Sequence, residues 1–185
     1  DWKALQNNLQ SDEALIEFSH FRFHNDKEWT DSTIYVAYVL RNNSEAPKLV
    51  PLFEENQLTQ LLGKDGDIKK LDYVNRLYTA VKRGVVAEGD DRPDLYQLVW
   101  KPLLEELEGI EQLYLSPSGY LHRLNLAAIA VDKTDCIANL FEVKQQGSSR
   151  ELMFPQEKKA RSTPADILIF GGIEYALDTT LVAAS

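Results

Sequence analysis

Three histidines and one cysteine are the groups in this sequence best suited to metal or nucleophilic chemistry. His20 and His24 stand four apart with Glu17 one helical turn earlier, a spacing that on a helix would turn all three toward one metal ion. Their surroundings, Leu15-Ile16-Glu17-Phe18-Ser19-His20-Phe21-Arg22-Phe23, are aromatic and β-branched, which predicts a strand instead. On a strand, four residues span roughly 13 Å at about 3.3 Å each, too far for two imidazoles to share an ion without a bend. No metal site is expected there.

Cys136 and His122 are the pair that could be drawn as nucleophile and base. Asp135 beside Cys136 disfavours a thiolate, and His122 falls in a segment that reads as a strand rather than an active-site loop. Gly171-Gly172 follows an apolar run, but neither a Gly-Lys-Ser/Thr sequence nor a third glycine completes a phosphate-binding turn. Ser116-Pro117-Ser118-Gly119 and Ser148-Ser149-Arg150 lack the Gly-x-Ser-x-Gly pattern of a serine hydrolase. The sequence therefore assigns no catalytic, cofactor-binding or metal-binding residue, and no cofactor is expected.

The elements that would position these groups follow from periodicity. Trp2, Leu5 and Leu9 predict a short amphipathic helix lying over the first strand. Thr33 to Leu40, apolar on both faces, predicts a second, central strand antiparallel to the first. Lys48 to Phe53 predicts a third, which Pro51 confines to an edge or a strand end because proline cannot donate to a ladder. Helices are predicted over Glu54–Leu62, over Ile68–Val81, and from Pro93 through Leu107 to a stop at Gly109, with a kink near Leu98 caused by Pro102. Glu111–Leu115 and Tyr120–Leu124, flanking Ser116-Pro117-Ser118-Gly119, predict a β-hairpin. A strand over Asn139–Val143, a short helix over Ser148–Met153, a charged loop from Phe154 to Pro164 and a buried strand over Asp166–Phe170 complete the reading.

The composition fits one soluble domain: 185 residues, 44% hydrophobic. A net charge of -9 disfavours binding to a phosphate backbone, so no nucleic-acid partner is expected. The sequence contains neither a long apolar run nor a signal peptide pattern, and no membrane association is expected. A single cysteine suits a reducing, cytoplasmic setting. Glu157-Lys158-Lys159-Ala160-Arg161 reads as a solvated basic loop that an acidic partner or a protease could reach.

Several segments in order resemble the CHAT family, the caspase-like domain often found behind tetratricopeptide repeats. They are Glu13–Phe18, Tyr35–Leu40, Leu95–Leu103 with Trp100-Lys101-Pro102-Leu103, Tyr114–Ile129 with Ser116-Pro117-Ser118-Gly119, Ser149–Leu152 and Phe170–Tyr175. The resemblance implies an α/β caspase-like mixed sheet flanked by helices, incomplete in this chain. Residues 1–175 would be the N-terminal portion of the domain and 176–185 a tail or truncated connection. It also implies that the full-length parent is a cysteine peptidase acting on peptides or proteins, using a His-Gly turn and a Cys downstream. No histidine here precedes a glycine, and Cys136 lies upstream of Phe170-Gly171-Gly172, so no catalytic residue carries over. The implied partners are the C-terminal half of the domain or a second chain, a peptide substrate and tetratricopeptide repeats.

Overall fold

Alternation along the first two strands builds the centre of the structure. In the computed structural model, residues 1–62, 95–132 and 134–154 are described; all belong to one unit, Asp1–Pro155. The helix expected over Ile68–Val81, the loop after Phe154, the strand over Asp166–Phe170, Gly171-Gly172 and residues 176–185 lie outside them.

Strand β1 (Glu13–His24) pairs antiparallel with β2 (Trp29–Arg41), and β2 with β3 (Lys48–Glu54). Strand β4 (Gln112–Ser116) lies parallel to β1 on its other side, and β5 (Glu142–Gln145) is parallel to β4. The result is a five-stranded mixed sheet in the order β3-β2-β1-β4-β5, flanked by helices, an α/β fold. Pro51 sits on the edge strand opposite Val36, next to a bulge in the β2–β3 register, where its missing donor is tolerated.

Even-numbered β1 residues Ala14, Ile16 and Phe18 face the main core with Ala37 and Val39 of β2 and Leu113 and Leu115 of β4. Helix α2 (Glu55–Leu62) covers this face with Leu58 and Leu62. So do a π-helical turn at Tyr96–Trp100 and a 3-10 helix at Lys101–Leu107. Each fully buried aliphatic side chain contributes about 1.5–3 kcal/mol by leaving water. On the opposite face Leu9, Leu15 and Leu40 form a smaller cluster against Trp2 and Leu5 of α1 (Trp2–Gln6) and Leu152. Helix α1 thus lies over β1 as expected, though it is shorter.

Three expectations need correction. The helix over 93–107 is not a kinked α-helix in its described part. Pro102 has no N–H to donate to Leu98, and the chain passes from a π turn, with Lys101 N–H donating to Tyr96 O, into the 3-10 helix. Its stop at Gly109 holds, at a φ of 75°.

Tyr120–Leu124 is no hairpin strand. It forms a 3-10 helix, Gly119–Arg123, which buries Leu121, with Leu124 buried just after it, and β4 takes parallel partners instead. Finally, the strand over Asn139–Val143 starts later. Helix α3 (Ile137–Leu140) occupies its first half, with Cys136 and Asn139 exchanging capping bonds, and β5 follows.

Among the described residues no helix is long and apolar enough to cross a membrane.

Candidate functional site

Parallel strands put the loops that follow them at one end of the sheet, the place where α/β proteins gather polar groups. Here β1, β4 and β5 run parallel, and their carboxyl side collects two side-chain contacts between residues far apart in sequence.

The first is built on the loop after β4. Gly119 turns the chain at a φ of 56° and lies against Tyr35 and His20; a Cβ there would run into Tyr35 Oη and stand 3.2 Å from His20 Nδ1. Ser118 Oγ is 2.7 Å from His20 Nδ1, and the imidazole stacks on the Tyr35 ring at 5.3 Å between centroids. Tyr35 Oη accepts from Tyr120 N–H at 3.0 Å and donates to Glu55 Oε2 at 3.0 Å. One phenol therefore ties β2, α2 and the post-β4 loop together. Burial, and secondarily the Glu55 carboxylate, push the Tyr35 phenol up to about 12. The Ser118–His20 pair has the distance of a nucleophile and base, but no carboxylate on a described residue bonds the other imidazole nitrogen. The cluster fastens the loop to the sheet.

The second contact lies on the opposite face. Ser149 is buried and its Oγ–H donates to Glu17 Oε2 at 2.6 Å, with Ser116 the register partner of Glu17 on β4. Ser149 opens a 3-10 helix, Ser149–Met153, whose capping box uses Ser148 and Glu151. Between this helix and α1 runs a surface groove of about 420 Å³, lined by Trp2, Leu5, Glu17, Arg150, Met153 and Phe154 and closed by Asp1 and Ser149.

The residues singled out from sequence are not assembled. His24 packs edge-on against Trp29 at 5.0 Å, while His20 meets Ser118, so β1 points the two imidazoles at different partners. No group of three or more potential metal ligands forms among the described residues. His122 sits exposed on a 3-10 helix, a correction to its expected strand placement. The Cys136 S–H donates to Asn139 Oδ1 at 2.8 Å, and Asn139 also accepts from Cys136 N–H at 3.0 Å. That thiol completes a helix cap.

At the other end of the sheet, Glu13 is buried and accepts from Gln10 N–H at 2.9 Å and from Tyr114 Oη–H at 3.1 Å. Burial and the Glu13 charge push the Tyr114 phenol up to about 12. Raised folded-state values mean that both phenols support the fold fully below pH 10 and lose that support as the pH climbs from 10 toward 12. Ultraviolet titration of the phenols is therefore expected to show a late phase, part of which disappears in Tyr35→Phe and part in Tyr114→Phe. A profile identical in all three proteins would contradict this.

No known family, curated protein or solved structure matches this chain.

Proposed function

We propose that this chain is the N-terminal, non-catalytic portion of a caspase-like CHAT cysteine endopeptidase whose catalytic His and Cys lie C-terminal to it. The observation that carries the reading is the ordered series of segments from Glu13–Phe18 to Phe170–Tyr175, in a chain whose strands form a mixed α/β sheet. Polar loops gathered at the carboxyl ends of β1, β4 and β5 support it, because peptidase chemistry on such a sheet is built from strand-end residues. In the complete domain a thiolate attacks the peptide carbonyl and an imidazole moves the protons, and loss of either partner removes most of the catalysis. Cys136, bonded to Asn139, serves as a helix cap. The proposed partners are the remaining half of the domain or a second chain, a peptide or protein substrate, and tetratricopeptide repeats ahead of it, in the cytoplasm.

Labelling tests this. The polypeptide encoded by the whole gene, treated with a peptidyl acyloxymethyl ketone and mapped by mass spectrometry, is expected to carry the adduct on a cysteine beyond residue 185. No cysteine adduct, combined with specific protein binding by the folded chain, would replace the peptidase reading with a non-catalytic interaction or regulatory module of the same fold.

A further inference from the structure

The groove between α1 and the Ser149–Met153 helix holds opposite charges that do not neutralise each other. Glu17 gives one carboxylate oxygen, Oε2, to Ser149, and among the described residues Oε1 has no hydrogen-bond partner. Arg150 also lines the groove, and among the described residues its guanidinium forms no ion pair, with Glu17 or with any other carboxylate. The Asp1 carboxylate is already occupied as the N-cap of α1, accepting from Lys3 N–H at 3.1 Å.

Around these charges the walls are apolar: Trp2 and Leu5 on one side, Met153 and Phe154 on the other, with Met153 42% and Phe154 65% exposed. The groove thus sets apolar surface open to water beside the exposed charges of Glu17 and Arg150. The groove, about 420 Å³, is open to solvent along one side and leaves a bound molecule partly exposed. Its place, next to Ser116 and Ser149 at the carboxyl ends of β4 and β5, is where α/β sheets take ligands.

We propose that this groove binds a zwitterionic α-amino acid with a large apolar side chain, its ammonium on Glu17, its carboxylate on Arg150 and its side chain among Trp2, Leu5, Met153 and Phe154. The carboxylate suits Arg150 because a guanidinium presents two parallel donors. The ammonium suits Glu17 because Ser149, itself buried, holds the carboxylate in place from behind. Ser149 is thus a positioning residue. The site does not depend on the peptidase reading, since none of its residues is asked to do chemistry.

Calorimetric titration of the 185-residue chain with L-phenylalanine tests the proposal. Binding is expected with a Kd on the order of 0.1–1 mM, weakened about tenfold or more in Glu17→Gln and in Arg150→Gln. N-acetylphenylalanine and phenylalaninamide, each missing one charge, are expected to bind correspondingly worse, which separates a free amino acid from a peptide terminus. Arg150 is exposed, so Arg150→Gln should keep the parent's thermal midpoint and serve as the folding-independent variant. Absence of binding at about 10 mM phenylalanine, equal affinity for the capped analogues, or unchanged affinity in Arg150→Gln would each overturn the proposal.

Discussion

Trp100→Ala is expected to lower the unfolding free energy by about 4 kcal/mol, the scale of emptying a fully buried tryptophan site. Trp100 is completely buried, and its Nε1–H donates to Leu126 O at 3.1 Å, fastening the π turn to the chain after the Gly119–Arg123 helix. Against a typical stability of about 5–15 kcal/mol, such a loss leaves a marginal fold. Trp100→Phe separates the two contributions. It keeps most of the apolar contact but strands the Leu126 carbonyl in the core, at a cost of about 1–3 kcal/mol. Denaturant midpoints followed by circular dichroism measure both, and a loss below about 1 kcal/mol for Trp100→Ala would contradict the packing described. A loss of the expected size would show that Trp100, in the Trp-Lys-Pro-Leu segment, serves cohesion.

Gly119→Ala is expected to cost about 3 kcal/mol, from two sources that a second glycine separates. At Gly109, φ is 75° but nothing lies within 4 Å of an added Cβ, so Gly109→Ala carries only the left-handed backbone strain of about 1–2 kcal/mol. At Gly119, with φ 56°, the new methyl also collides with Tyr35 Oη, which is held by Glu55 and by Tyr120 N–H and cannot swing aside without breaking both bonds. Equal losses at the two glycines would mean that the post-β4 loop is not clamped to Tyr35. Loss of the Tyr35 part of the late phenol titration in Gly119→Ala would confirm the clamp from the other side.

What the sequence disclosed and what it hid divide along physical lines. Strands β1 to β3 were legible because aromatic and β-branched residues run in uninterrupted stretches and Pro51 marks the edge. The post-β4 helix was misread because Tyr120-Leu121-His122-Arg123-Leu124 after a Pro-Ser-Gly turn imitates a hairpin arm. Only Leu121 of this short helix is buried, so no period of apolar residues marked it. Helix α3 was hidden in the same way, being only one turn long and capped by a cysteine, a residue not counted among the usual caps.

The polar contacts at the strand ends could not be found from spacing. Ser118 reaches His20 across 98 positions, and Ser149 reaches Glu17 across 132. They depend on β4 joining β1 in parallel and β5 joining β4 in turn, which no local pattern encodes. The pair that proximity did suggest, His122 and Cys136, ends with its imidazole exposed on one short helix and its thiol capping another.

The chain is proposed to supply the scaffold of a peptidase but not its nucleophile, and intact-mass measurement after incubation with a peptidyl acyloxymethyl ketone tests this most directly. The 185-residue chain is expected to remain at its unmodified mass. An adduct on Cys136 that disappears in His122→Ala would contradict the account, because it would place a working thiol and imidazole within this chain.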